Sequence, residues 1–139
     1  MKKVFVVATA RIDYVAKGEE VVINSTAGSG FGVGDVFSPG WKLVKASKAG
    51  RISWDEYVEK YLEILRAKWR SDEWAFREAV ESGHVVLVCY CGRKTNGRSC
   101  HRYLLKDALI KAARHWGYEV EDRGEVLNYQ NRRQSYDKK

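Results

Sequence analysis

Residues 84–121 read HVVLVCYCGRKTNGRSCHRYLLKDALIKAARHWGYEVE, and a change of periodicity inside this stretch decides the fold. Val85 to Val88 is a continuous apolar run, so His84–Cys89 is expected to be a central parallel strand buried on both faces. Beyond a polar loop, His101, Leu104, Leu105, Ala108, Leu109, Ala112, Ala113 and Trp116 recur at the spacing of one helix face, and Gly117 supplies the stop. Tyr118–Glu121 then reads as another short strand. Strand, helix and strand in this order form a βαβ unit, right-handed by default.

The chain on either side fits the same plan. Lys3–Ala10 is a β-rich run that ends in Thr9, Arg11 and Asp13, and Val21–Ile23 is a second short strand. Asn24–Asp35 carries glycine at 28, 30, 32 and 34, a spacing that matches neither GxGxxG nor a Walker loop, and it reads as a mobile loop or a flap. Ser38-Pro39 marks a helix start, with the helix running to Gly50. Ser53-x-x-Glu56 is a capping box ahead of Trp54, Tyr57, Val58, Tyr61, Leu62, Leu65 and Trp69, an apolar stripe that reads as core. Ser71 caps a third helix over residues 72–82, which Gly83 ends, and Glu125–Leu127 is a last short strand. The expected fold is a single three-layer α/β/α domain over residues 1–127, with a mainly parallel sheet and helices on both faces. The tail 128–139, NYQNRRQSYDKK, has no periodicity and a net charge of +3, as a frayed end or a phosphate-contacting arm would.

Composition limits the function classes. With 45% hydrophobic and 31% charged residues the chain is that of a soluble globular protein, and no stretch approaches the ~20 apolar residues of a membrane span. The start MKKVFVVATA imitates a signal peptide, but its apolar core of about four residues falls short of a secretory segment and fits a first strand. Three cysteines crowded into one loop give no disulfide framework, so a reducing, cytoplasmic setting is expected. Methionine at position 1 alone, with abundant Lys, Arg and Glu, resembles a thermophile's surface. A net charge of +7 and a pI near 9.4 favour anionic partners, a phosphate-bearing small molecule or nucleic acid.

The chemistry concentrates between the strand and the helix. All three cysteines lie there, and from Cys89 through Lys106 stand five Lys or Arg residues and no acid. A helix head at 100–103 offers free N–H groups to an anion, Arg102 adds a bidentate clamp, and Arg98 raises the local potential. Arg11 and Ser38 are second-rank lining residues. The same field lowers a thiol pKa, so Cys100 or Cys89 is the candidate nucleophile and His101 the candidate acid or base. A second reading is a metal site of Cys89, Cys91, Cys100 and His101, although Cys-x-Cys followed by adjacent Cys-His is not ordinary zinc spacing. A third is a non-enzymatic nucleic-acid binder that uses the loop cations and the basic tail. The spacing excludes a tyrosine-phosphatase loop, a zinc deaminase and a C-x-x-C redox pair. No cofactor is predicted.

Two blocks carry a resemblance. VLVCYC and SCHRYLLKDAL at 86–91 and 99–109, with FSPGWKLVKASKAGRISWDEYVEKYLEIL at 37–65, resemble the domain of unknown function 488 family. The matching positions are Ser38, Pro39, Gly50, Ile52, Ser53, Tyr57 and Tyr61, then Cys89, Cys91, Cys100, His101 and Arg102. The likeness implies a compact α/β domain and supplies no reaction. Relatives with Glu in place of Cys91 have a different ligand set, which disfavours a four-ligand metal site and leaves Cys89, Cys100, His101 and Arg102 as shared chemistry. The glycine-rich loop looks longer than usual for the family, and the tail looks like an addition.

Overall fold

A computed structural model of the chain describes residues 3–25, 32–89 and 101–126. The elements in chain order are β1 (Val4–Arg11), β2 (Val21–Asn24), α1 (Gly32–Val36), α2 (Trp41–Lys48), α3 (Trp54–Ser71), α4 (Glu73–Glu81), β3 (His84–Cys89), α5 (His101–His115) and β4 (Glu119–Glu125). The four strands form one sheet in the order β2-β3-β1-β4, and every pair in it is parallel. The protein is an α/β domain. As its apolar run requires, β3 lies inside the sheet with Val85 to Cys89 all buried.

The order of the strands fixes where the connections run. Chain passage from β2 to β3 and from β3 to β4 moves the same way across the sheet, so right-handed crossovers place both connections on one face. All five described helices accordingly contribute to one core with Phe5, Val7, Ile23, Val85 and Leu87. Passage from β1 to β2 moves the opposite way and takes the other face. There Tyr14 packs with Ala8, Ala10, Val86 and Val88, joined by Val22 and Val126, and no described helix lies on that side. Each large apolar side chain sealed in the main core stabilises the fold by about 1.5–3 kcal/mol relative to exposure.

Local signals explain most element boundaries. The capping box is complete: Ser53 Oγ accepts from the Glu56 amide at 3.1 Å, and the Ser53 amide donates to Glu56 Oε1 at 3.1 Å. Three expected boundaries need correction. Ser38-Pro39 does not open α2, because Ser38 Oγ accepts from the Gly40 amide at 3.1 Å and the helix begins at Trp41. Ser71 is the last residue of α3 rather than the cap of α4, since its hydroxyl donates back to Ala67 O at 3.1 Å. Strand β4 is one continuous element where two short strands were expected, with a bulge against β1 between Val7 and Thr9.

The glycine-rich segment is described only at its ends. Residues 26–31 lie outside the described residues, while Gly32–Val36 forms the short helix α1 instead of loop. A side chain at Gly34 would put its Cβ 2.1 Å from the Asn24 carbonyl oxygen, so this glycine serves close approach to the end of β2.

Candidate functional site

The carboxyl ends of the central strands and the head of α5 meet at one place. Arg11 and Cys89 are direct partners across the β1–β3 ladder, each the last residue of its strand. The chain leaves β1 towards one face and β3 towards the other. This is the topological switch point of the sheet, where open α/β folds form a crevice outside their strand ends.

Two hydrogen-bond systems hold the head of α5 there. The first surrounds His101, which is 6% exposed. Its Nε2 faces Ser25 O at 3.1 Å and Ser25 Oγ at 3.0 Å. A carbonyl only accepts, so the ring proton sits on Nε2, and Nδ1 accepts from the Tyr57 hydroxyl at 3.4 Å. The Ser25 hydroxyl donates onward to Val88 O at 3.4 Å, and the Ser25 amide donates to the same carbonyl at 3.0 Å. The Tyr61 ring meets the imidazole edge-on at 5.4 Å between centroids, and its hydroxyl donates to Phe37 O at 2.8 Å. Burial, reinforced by the charge of Arg102, pushes the His101 pKa down to about 4, so the ring is neutral at pH 7.

The second system centres on Arg102, 5% exposed. Its Nε donates to Glu125 Oε1 at 3.2 Å and its Nη2 to Glu125 Oε2 at 2.8 Å, a bidentate fork. Nη2 also donates to the Tyr103 hydroxyl at 3.1 Å, and Nη1 reaches Cys89 Sγ at 3.7 Å. From β1, the fully buried Thr9 donates to Glu125 Oε1 at 2.6 Å. Burial works to raise the Glu125 carboxyl pKa, but the bonds from Arg102 and Thr9 outweigh it and hold it below the usual range. Burial pulls the guanidinium down, and the Glu125 bond more than restores it, so Arg102 stays charged.

A bulge gives Glu125 its position. Asp122 pairs with Val7 and Glu125 with Thr9, so three steps on β4 match two on β1. Gly124, at φ 68, absorbs the extra residue. Without the bulge Asp122 and Glu125 would point to opposite faces. With it both face α5, where Asp122 pairs with Lys106 at 3.1 Å.

The expected site residues fall into three groups. Cys89, His101 and Arg102 come together at the strand ends. The Cys89 thiol is buried, which pushes its pKa up, while the Arg102 hydrogen bond pulls against that shift. The anion held by Arg102 in this structure is the protein's own carboxylate. Arg11 lies exposed beside Cys89, and Ser38 follows the Phe37 carbonyl that Tyr61 bonds. Cys91, Arg98 and Cys100 lie outside the described residues. Among the described residues no three His, Cys, Asp or Glu side chains are grouped to hold a metal. No described helix is long and apolar enough to cross a membrane.

Sequence reasoning missed Ser25, Tyr103 and Glu125, and took Tyr57 for packing alone. One signal was available for Glu125: a buried arginine needs a counter-charge, and the strand after α5 carries four acids in residues 119–125.

A family model described as the active DUF488-N3 subclade, DUF488-N3a, matches residues 35–115. The chain belongs to this family. The span matched by DUF488-N3a runs from α1 into α5 and contains Tyr57, Tyr61, Cys89, His101 and Arg102. Thr9, Ser25 and Glu125, the partners of those residues, lie outside it. No curated protein and no solved structure matches the chain.

Proposed function

We propose that this DUF488-N3a protein binds a phosphate-bearing ligand, a nucleotide or a nucleic-acid end, at the carboxyl ends of β1 and β3. The observation that carries the reading is the coincidence of Arg11, Cys89 and the head of α5 at the switch point of a parallel sheet. Arg11 is exposed there, and the helix head adds the positive end of a dipole. A net charge of +7 favours the encounter with such a ligand. The subclade is described as active, with no reaction named, and hydrolysis or transfer at the bound phosphate is the activity this site would suit. In this reading Arg11 and the first turn of α5 receive the phosphate, Arg102 sets the potential beneath it, and Cys89 is the thiol next to the bound group.

Arg11→Ala tests the reading, because an exposed strand-end residue can be replaced without disturbing the core. Titration of the full chain with inorganic phosphate and with a 5′-phosphorylated oligonucleotide should show weaker binding in the variant. Equal affinities, or no binding of any phosphate compound by the unaltered chain, overturn it.

A further inference from the structure

We infer that Glu125 makes this site selective for phosphate monoester ends over internal phosphodiesters. The inference rests on the phosphate-binding reading above and names its substrate class. The Glu125 carboxylate already occupies the Nε–Nη2 fork of Arg102, at 3.2 and 2.8 Å, with Thr9 bracing one oxygen at 2.6 Å. This is the geometry a phosphate takes on a guanidinium. The Arg102 side chain is 6% exposed and that of Glu125 32% exposed, so the carboxylate is the more accessible member of the pair.

A ligand that reaches Arg102 therefore has to displace a braced carboxylate. An internal phosphodiester carries a single charge, as the carboxylate does, and the exchange gives it no advantage. A phosphate monoester carries about −1.5 to −2 at neutral pH and three acceptor oxygens. It can hold the guanidinium and still bond Arg11 and the helix head.

The test compares two oligonucleotides of one sequence, one bearing a 5′-phosphate and one a 5′-hydroxyl, by fluorescence anisotropy on the full chain. The unaltered protein should prefer the phosphorylated end by about tenfold or more, the ratio that one charge-assisted hydrogen bond supplies. Glu125→Gln keeps the size and acceptor oxygen of the side chain and should bring the ratio towards one, mainly by strengthening the 5′-hydroxyl complex. Thr9→Val, which removes the brace and keeps the charge, should shift the ratio the same way, and it carries the test if Glu125→Gln does not fold. A ratio unchanged in the folded variants overturns the inference. Equal binding of both ends by the unaltered chain overturns the selectivity and leaves phosphate binding standing. Binding of neither overturns both.

Discussion

The Tyr57 hydroxyl on α3 lies 3.4 Å from Nδ1 of His101 at the head of α5, so two segments 44 residues apart in sequence close on each other inside the core. The tyrosines of the upstream block and the histidine of the downstream block are thus one interior assembly. Through Ser25 it also reaches the outer strand β2. The imidazole serves first to join three elements, and its buried, neutral state follows from that.

Tyr57→Phe removes the hydroxyl that donates to Nδ1 and keeps the ring that packs on Trp54 at 5.0 Å. Leaving a buried acceptor without its partner should lower unfolding free energy by about 1–2 kcal/mol. Urea denaturation checks it: the midpoint should fall at constant slope, and an unmoved midpoint would show the contact to be energetically silent.

Acid should weaken the fold through His101. Its folded pKa is about 4, below the unfolded value of about 6.5, so the unfolded chain takes up the proton first. The contribution is therefore fully present above pH 6.5 and fades as pH falls towards 4. Over that window the loss amounts to roughly 3 kcal/mol. Thermal unfolding between pH 4 and 7 should show it, and a His101→Asn variant should be flatter over the same range. Proton resonances of the ring titrating near its ordinary value would contradict the prediction.

Glu125→Ala strands a nearly buried cation. The loss should be about 3 kcal/mol, at the lower end for buried pairs because the carboxylate is partly exposed. Replacing both members, Arg102→Met with Glu125→Leu, should recover most of that stability, since no charge is then left unpaired. A double-mutant cycle by denaturant unfolding decides the matter. A double variant as unstable as Glu125→Ala would mean that packing, not charge, dominates here.

Gly124→Val forces a β-branched residue into a left-handed backbone at φ 68, which costs about 1–2 kcal/mol. Since the bulge aims Glu125, the effect should also be non-additive with Glu125→Gln. Purely additive losses in melting temperature would separate the bulge from the ion pair.

Sequence patterns carried the strands and helices where burial imposes a clear period. His84–Cys89 is read to the residue because both its faces are buried, and the start of α3 because seven apolar residues share one stripe behind a capping box. Strand β4 gave no such pattern. Its EVEDRGE is an edge strand paired to β1 alone, with charges on both faces, so polarity there marks exposure rather than loop. The candidate site was legible as a cluster in the chain, Cys89 with His101 and Arg102. Its partners Ser25 and Glu125 were not, because strand pairing brings them in, and pairing depends on the sheet order and on one bulge.

That bulge has a further effect on how α5 sits. Along the helix, Arg102 and Lys106 are one turn apart, an advance of about 6 Å. Their acids on β4 would be about 10 Å apart if the strand were regular, and roughly 6.6 Å apart once three residues span two steps. The two cation–carboxylate pairs therefore work like a plug with two prongs: only one sliding position of helix against strand seats both at once. Lengthening or shortening 122–125 by a residue would mismatch the prongs and let the helix settle out of alignment, even with every participating side chain still present.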